Sequence, residues 1–226
     1  MIYYLRGFTL SELIKVPRIK ICGINNLEDA LLAAKLGTWA VGFIFYKESP
    51  RYIEPEKAIL IVRELPDNIE KIAVFVDSPI NQIYDIVSNA GFTQIQLHGN
   101  ESVDFCIELI HRTHLPVIKA IRVKNSDDLA EISKYKNIAS AILLDTYSKA
   151  QFGGTGESFD WDIAKKASAY GMPIILAGGI NPDNISEAYS EIQPYALDIC
   201  SGIEKYKGVK DHNKLRELFS TIKDLK

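Results

Sequence analysis

The sequence is short of the residues that mark a secreted, metal-loaded or membrane-inserted protein. It has 3 cysteines and 4 histidines in 226 residues. Cys22, Cys106 and Cys200 are odd in number and far apart. They form neither a disulfide framework nor a Cys-x-x-Cys metal site, and they suit a reducing cytoplasm. No two histidines have ligand spacing, so no metal is expected. No apolar run approaches the ~18–20 residues that span a bilayer. Neither sign of charge dominates: 26 Lys+Arg against 29 Asp+Glu leave a net −3. Basic residues never run beyond two, so nothing draws the chain to nucleic acid or an anionic membrane. Residues 1–17 lack a sustained apolar stretch and carry Glu12 and Lys15, so they read as a short extension and not as a signal peptide. What is present is globular: 47% hydrophobic and 24% charged, in a chain long enough to bury a full core.

From residue 18 to 226 one unit recurs. β-branched runs begin near Arg18, Trp39, Lys71, Phe92, Val117, Ile138, Pro173 and Ala196, a repeat of about 25 residues. Each is followed by a stretch with helical periodicity. Asn26 caps a helix that stops at Gly37, Pro55 opens another, and Pro182-Asp-Asn opens a third. Strand–helix alternation at this spacing implies parallel strands with right-handed crossovers, and eight units make a compact single-domain (β/α)8 barrel. An open doubly wound sheet is the alternative, but there is no obvious edge strand. The second and sixth units are long, with the excess after the strand, in 46–54 and 146–160. Opposite strands would bring these loops face to face across the C-terminal mouth, where barrels place their sites.

The strand ends carry the chemistry. Alternation puts Lys20 with Cys22 on one face, Gln96 with His98, and Leu143 with Asp145. Gly178-Gly179 ends strand seven and Ser201-Gly202 follows strand eight, the two positions where barrels cradle phosphate on backbone N–H groups. Cys22 reads two ways: a small core residue, or a thiolate at the mouth. Asp145 ends an apolar run, where a carboxylate must be paired, capping or reactive. Arg51 is either a solvated charge or a bidentate clamp for a carboxylate. His98 is equally a structural histidine, and Cys106 belongs in a helix core.

Taken in order, Lys20-Ile-Cys22-Gly-Ile, Gly42-Phe-Ile-Phe, Ser49-Pro-Arg51-Tyr, Gln96-Leu-His-Gly99, Leu143-Leu-Asp145-Thr, Gly153-Gly-Thr-Gly156, Leu176-Ala-Gly-Gly-Ile-Asn-Pro182, Asp198-Ile-Cys-Ser-Gly202 and Gly208-Val-Lys-Asp211 resemble the phosphoribosylanthranilate isomerase family of tryptophan biosynthesis. The resemblance runs from residue 18 to about 225. It implies an Amadori rearrangement of N-(5-phosphoribosyl)anthranilate to 1-(2-carboxyphenylamino)-1-deoxyribulose 5-phosphate, without a cofactor. By motif match Asp145 is the general acid and Cys22 the general base. Arg51 holds the anthranilate carboxylate. Gly178, Gly179, Ser201 and Gly202 hold the phosphate, and Gln96, His98 and Asp198 line the pocket. Those roles imply an Asp145 pKa raised by burial and a Cys22 pKa lowered by positive potential. Cys200 is a departure, since the family commonly has a small hydroxyl residue or glycine there. The rivals are the histidine-pathway isomerase, a dual-substrate isomerase and a non-catalytic phosphate-binding barrel. The histidine-pathway family uses an aspartate in place of Cys22, and a binding module needs neither Cys22 nor Asp145. A monomer or homodimer is expected, and the glycines of 146–160 would permit that loop to close over substrate.

Overall fold

The computed structural model describes residues 17–146 and 161–223. Nearly all of the expected extension (1–17) and of the loop 146–160 lies outside the described residues. Eight parallel strands close into a barrel in sequence order. They are β1 (Ile19–Cys22), β2 (Ala40–Ile44), β3 (Glu70–Phe75), β4 (Gln94–Leu97), β5 (Val117–Val123), β6 (Ala141–Thr146), β7 (Ile174–Ala177) and β8 (Ala196–Ile199). Register runs unbroken around the ring, and β1 closes it on β8 through Ile19–Leu197, Lys20–Asp198 and Ile21–Ile199. The strands read as continuous apolar runs because both faces are covered. Outward residues such as Ile21, Phe43, Phe75, Leu97 and Leu144 pack under the helices. Inward ones, among them Ile72, Val74, Ile118, Leu143 and Ile175, fill the barrel.

The crossovers follow local signals. Asn26 accepts from the Asp29 N–H to start α1 (Leu27–Leu36), and Gly37 ends it in the left-handed region at φ 97°. Pro55 is the first residue of α2 (Pro55–Glu64). Next come α3 (Ile80–Val87) and α4 (Val103–Thr113), where Ser102 caps and Cys106 is fully buried. After β5 the crossover is a 3-10 helix, Ser126–Tyr135. Its buried residues Leu129, Ile132 and Tyr135 recur every third position, which matches three residues per turn. Then come α5 (Trp161–Ala167), α6 (Ile185–Ile192) and α7 (His212–Lys223). His212 bonds Asp29 at 2.7 Å and ties the last helix to the first.

Two details differ from the sequence expectation. The sixth strand begins at Ala141 and not near Ile138, because the N–H groups of Ile138 and Ala139 both donate to the Tyr135 carbonyl and finish the preceding turn. A small antiparallel hairpin, β9 (Glu204–Tyr206) and β10 (Val209–Lys210), sits between β8 and α7. Its tip residue Gly208 has φ 84° and lies against the 46–54 loop, where an added Cβ would meet the Pro50 carbonyl oxygen at 2.5 Å. The Asn25 amide donates to the Gly208 carbonyl at 2.8 Å, so the hairpin is pinned over the β1 end of the mouth.

Candidate active site at the barrel mouth

The strand alternation expected from sequence brings Lys20, Cys22, Gln96, Asp145 and Asp198 to the inside of the barrel, and they sort onto two walls. On the β1/β8 wall, Lys20 is fully buried and its Nζ bonds Asp198 Oδ1 at 2.9 Å. Burial opposes the lysine charge, but Asp198 and Cys22 outweigh it and raise the Lys20 pKa. Gly42 leaves the room this needs: a Cβ there would stand 2.9 Å from Cys22 Sγ and 3.2 Å from Lys20 Nζ. Asp198 is thus a partner of Lys20 as well as part of the pocket wall.

Above this pair lie two neighbouring thiols, Cys22 on β1 and Cys200 just past β8. Lys210, fully buried, reaches in from the hairpin. Its Nζ donates to the carbonyls of Cys22 (2.6 Å) and Cys200 (3.1 Å) and lies 3.8 Å from Cys200 Sγ. The expected lowering of the Cys22 pKa is corrected here. The bond to Cys200 comes first and burial second, and both push the Cys22 thiol up, while Lys20 pulls it down. The lowered thiol is Cys200, brought to about 7 chiefly by the neighbouring Cys22, which together with Lys210 and Arg51 overcomes burial. The two thiols titrate together, so the first proton leaves the pair readily and the second with difficulty.

Arg51 arrives from the 46–54 loop and is already engaged. Its Nε and Nη2 each donate to Glu204 at 2.7 Å, a fork-to-fork pair. This bond raises the Arg51 pKa. Burial opposes ionisation of Glu204, but Arg51 and Lys210 win and hold its carboxyl below the usual range. A guanidinium has five N–H donors, so two bonds to Glu204 leave three for a ligand.

The β4/β6 wall is more open. Gln96 Nε2 donates to His98 Nδ1 at 3.0 Å, which leaves Nε2 of the neutral ring to donate to Asp145 Oδ2 at 3.2 Å. The side chains of His98 and Asp145 are 22% and 38% exposed. The burial expected around Asp145 is therefore not present in the open mouth. Gln96 is 1% exposed, and its Oε1 is a buried acceptor without a partner among the described residues. The loop carrying His98 is anchored from below, where Glu101 takes Lys119 Nζ at 2.9 Å and the N–H groups of Asp77 and Gly99 at 3.0 and 3.1 Å.

The loops after β7 and β8 pack together as expected. Gly179 has φ 67°, and a Cβ on Gly202 would sit 1.9 Å from the Ile180 carbonyl oxygen. A cleft of about 290 Å³ beside them is lined by Ser201 and Gly202, and also by Asp183, Lys214 and Glu217. Its outer rim carries both signs of charge, so only the inner backbone edge suits an anion. Among the described residues, no group of three or more His, Cys, Asp and Glu could hold a metal ion.

Sequence reasoning passed over Lys20, Cys200, Glu204 and Lys210 as site residues. Lys20 had a signal, a lysine inside an apolar strand on the face of Cys22. Lys210 had only its place in the Gly208-Val-Lys-Asp211 stretch and Glu204 had none, because the hairpin that aims them inward leaves no periodic trace.

Comparison with known proteins agrees with this geometry. Residues 19–221 match the model of the N-(5'-phosphoribosyl)anthranilate (PRA) isomerase family. A protein of that name from Citrifermentans bemidjiense is 45% identical over 210 residues, covering 93% of this chain and 98% of its own. The crystal structure of phosphoribosyl anthranilate isomerase from Thermotoga maritima superposes with a TM-score of 0.84 at 38% identity, over 92% of this chain and 99% of the other. A related structure, of PRA isomerase in complex with reduced 1-(o-carboxyphenylamino)-1-deoxyribulose 5-phosphate, gives a TM-score of 0.82 at 36% identity over the same shares. With its closed barrel and its inward Cys22 and Asp145, the chain belongs to the PRA isomerase family.

Proposed function

We propose that the barrel mouth carries out the family's Amadori rearrangement with Asp145 as general acid and Cys22 as general base. The observation that carries this is their placement. Both stand on inward positions at the C-terminal ends of β1 and β6, far enough around the ring to reach opposite ends of one sugar. Asp145 protonates the ribose ring oxygen and the ring opens to a Schiff base. His98 holds one carboxyl oxygen and leaves the other to carry the proton. Cys22 then takes the proton from C2, and the enolamine relaxes to the ketone. Because Cys22 and Cys200 titrate together, the one remaining proton of the thiol pair can sit on either sulfur, so the Cys22 thiolate is reached without a second ionisation. Lys20, beneath Cys22, favours that anion.

Substrate binding follows the same walls. The Arg51 donors not used by Glu204 face the anthranilate carboxylate. The backbone N–H groups of Gly178, Gly179, Ser201 and Gly202 hold the phosphate. The orphan Gln96 Oε1 accepts from a sugar hydroxyl. Proton transfer of this kind needs no cofactor. The free thiols fit a reducing cytoplasm. A monomer or a homodimer suits the chain, since a T. maritima relative is described as dimeric, and sedimentation decides between them.

The test is loss of anthranilate-type fluorescence on mixing with freshly made phosphoribosylanthranilate. Saturable loss that vanishes in Asp145→Asn and in Cys22→Ser supports both roles, and wild-type turnover in either variant removes that residue from its role. Arg51→Ala should raise KM about 10- to 100-fold, as expected for a lost charged bond of ~1.5–3 kcal/mol. An unchanged KM would sink the carboxylate clamp.

A further inference from the structure

The second thiol at the mouth touches no reacting atom in the proposed rearrangement, yet its surroundings are those of a reactive group. Residues Ile21 and Ile199 pair across the β1–β8 seam, and Cys22 and Cys200 follow one step on. Adjacent strands lie about 4.8 Å apart, inside the 4.4–6.8 Å Cα range that a disulfide spans. Cys22 belongs to the inner cluster of the barrel and Cys200 packs against that same cluster, and Lys210 Nζ donates to the carbonyls of both. Cys22 is 5% exposed, whereas Cys200 is part-exposed. A small oxidant entering from solvent therefore meets Cys200 first. Lys210 Nζ stands 3.8 Å from that sulfur, and Arg51 lies beside it: a Cβ on Gly23 would be 2.9 Å from Arg51 Cδ and 3.2 Å from Cys200 Sγ. A cysteine that is solvent-accessible, flanked by cations and next to a second thiol has the arrangement of a redox-sensitive pair. The lowered Cys200 pKa agrees with that arrangement. Cys106, buried in α4 and raised to about 11 chiefly by burial, is its inert counterpart.

We propose that Cys200 is a site of oxidation by hydroperoxides, and that Cys22 resolves the product into an internal disulfide. In the first step the Cys200 thiolate attacks one oxygen of the peroxide. The O–O bond breaks, a sulfenic acid forms on Cys200 and hydroxide leaves, so sulfur is oxidised by two electrons and the peroxide reduced. In the second step the Cys22 sulfur attacks Cys200 Sγ. The S–S bond forms, the S–O bond breaks, and the proton from Cys22 leaves with the hydroxyl as water. The disulfide would take the proposed general base out of service until a dithiol restores both thiols. That last consequence rests on the role proposed for Cys22, whereas disulfide formation does not.

The experiment uses the full chain treated with hydrogen peroxide and then with dithiothreitol. It reads intact mass, the cross-linked peptide and turnover, each variant being compared with its own untreated sample. Wild type should lose the mass of two hydrogens, yield a Cys22–Cys200 peptide, fall below a tenth of its turnover and recover with dithiothreitol. Cys106→Ser should behave as wild type. Cys200→Ser should give no cross-link and no dithiothreitol-reversible loss. Oxygen addition at Cys22 without a cross-link in wild type would overturn the proposal, and so would a reversible loss that survives in Cys200→Ser. A cross-linked protein that still turns over would leave the modification site standing and remove Cys22 as the base.

Discussion

The two walls of the mouth are built on different principles. The β1/β8 wall is closed and heavily paired: Lys20 with Asp198, Arg51 with Glu204, and Lys210 with two carbonyls, around two thiols. The β4/β6 wall is a single chain of hydrogen bonds, Gln96 to His98 to Asp145, with its last member 38% exposed. The difference teaches where each group gets its reactivity. Lys20 beneath Cys22, the proposed base, favours its anion and is fixed there by the fold, while burial and Cys200 push the thiol the other way. A carboxyl acting as an acid must keep its proton. Asp145, the proposed acid, stands on the wall whose side chains are part-exposed. The wall of the proposed base is therefore bound up with folding, while the wall of the proposed acid is separable from it.

The largest effect should come from the reacting groups and should divide along that line. Cys22→Ser and Asp145→Asn should each lower turnover about 10³- to 10⁴-fold, at the upper end for a lost general acid or base. Asp145→Asn should leave stability within about 0.5 kcal/mol, because the side chain is part-exposed and, among the described residues, is held by His98. A large drop in the melting temperature of Asp145→Asn would break the distinction between the walls.

Lys20 tests the other half. Lys20→Met leaves Asp198 buried without its cation, and removing one partner of a buried pair costs about 3–5 kcal/mol. Denaturant midpoints at constant m-value would read it. Adding Asp198→Asn should recover part of the loss, because the stranded charge is gone. A neutral Lys20→Met would show that water reaches this pair and that the wall is not closed.

A smaller change belongs to Glu204. Its carboxyl is held below the unfolded value of 4.5, burial opposing and Arg51 and Lys210 prevailing. A lowered pKa contributes stability that is full above 4.5 and is lost as pH falls through the lower folded value. Glu204→Gln should therefore be less stable than wild type by about 2 kcal/mol near pH 6, in the range for hydrogen bonds to charged groups. That gap should close on acidification. A gap that stays constant from pH 6 to about 3 would mean that Glu204 acts by shape and not by charge.

The same comparison shows what could be read before the structure. The barrel was legible because each unit obeys local rules: Asn26 and Gly37 bracket α1, Pro55 opens α2, and apolar runs under two layers cannot be surface strands. Inward positions such as Cys22, Gln96, Asp145 and Asp198 follow from alternation alone. What alternation cannot show is who meets whom across the ring. The Lys20–Asp198 bond joins residues 178 apart in sequence, and it exists only because β8 closes on β1. The hairpin that delivers Glu204 and Lys210 has strands of 3 and 2 residues, too short for any period. The misjudged Cys22 pKa has the same origin: Cys200 could be placed near the mouth, but its nearness to Cys22 exists only because β8 closes on β1.

The smallest expected effect lies on the open wall, in His98. It bonds Gln96 through Nδ1 and Asp145 Oδ2 through Nε2, a position from which it would orient the proposed acid without bearing on the fold. His98→Ala should lower kcat about tenfold, a loss of ~1.4 kcal/mol of transition-state stabilisation, with KM and stability nearly unchanged. His98→Gln, which can still donate to the carboxyl, should recover part of that loss. A rise in KM at constant kcat would instead make His98 a group that binds substrate directly. The acid would then be oriented by the substrate, and the asymmetry between the walls would be greater than the unliganded geometry implies.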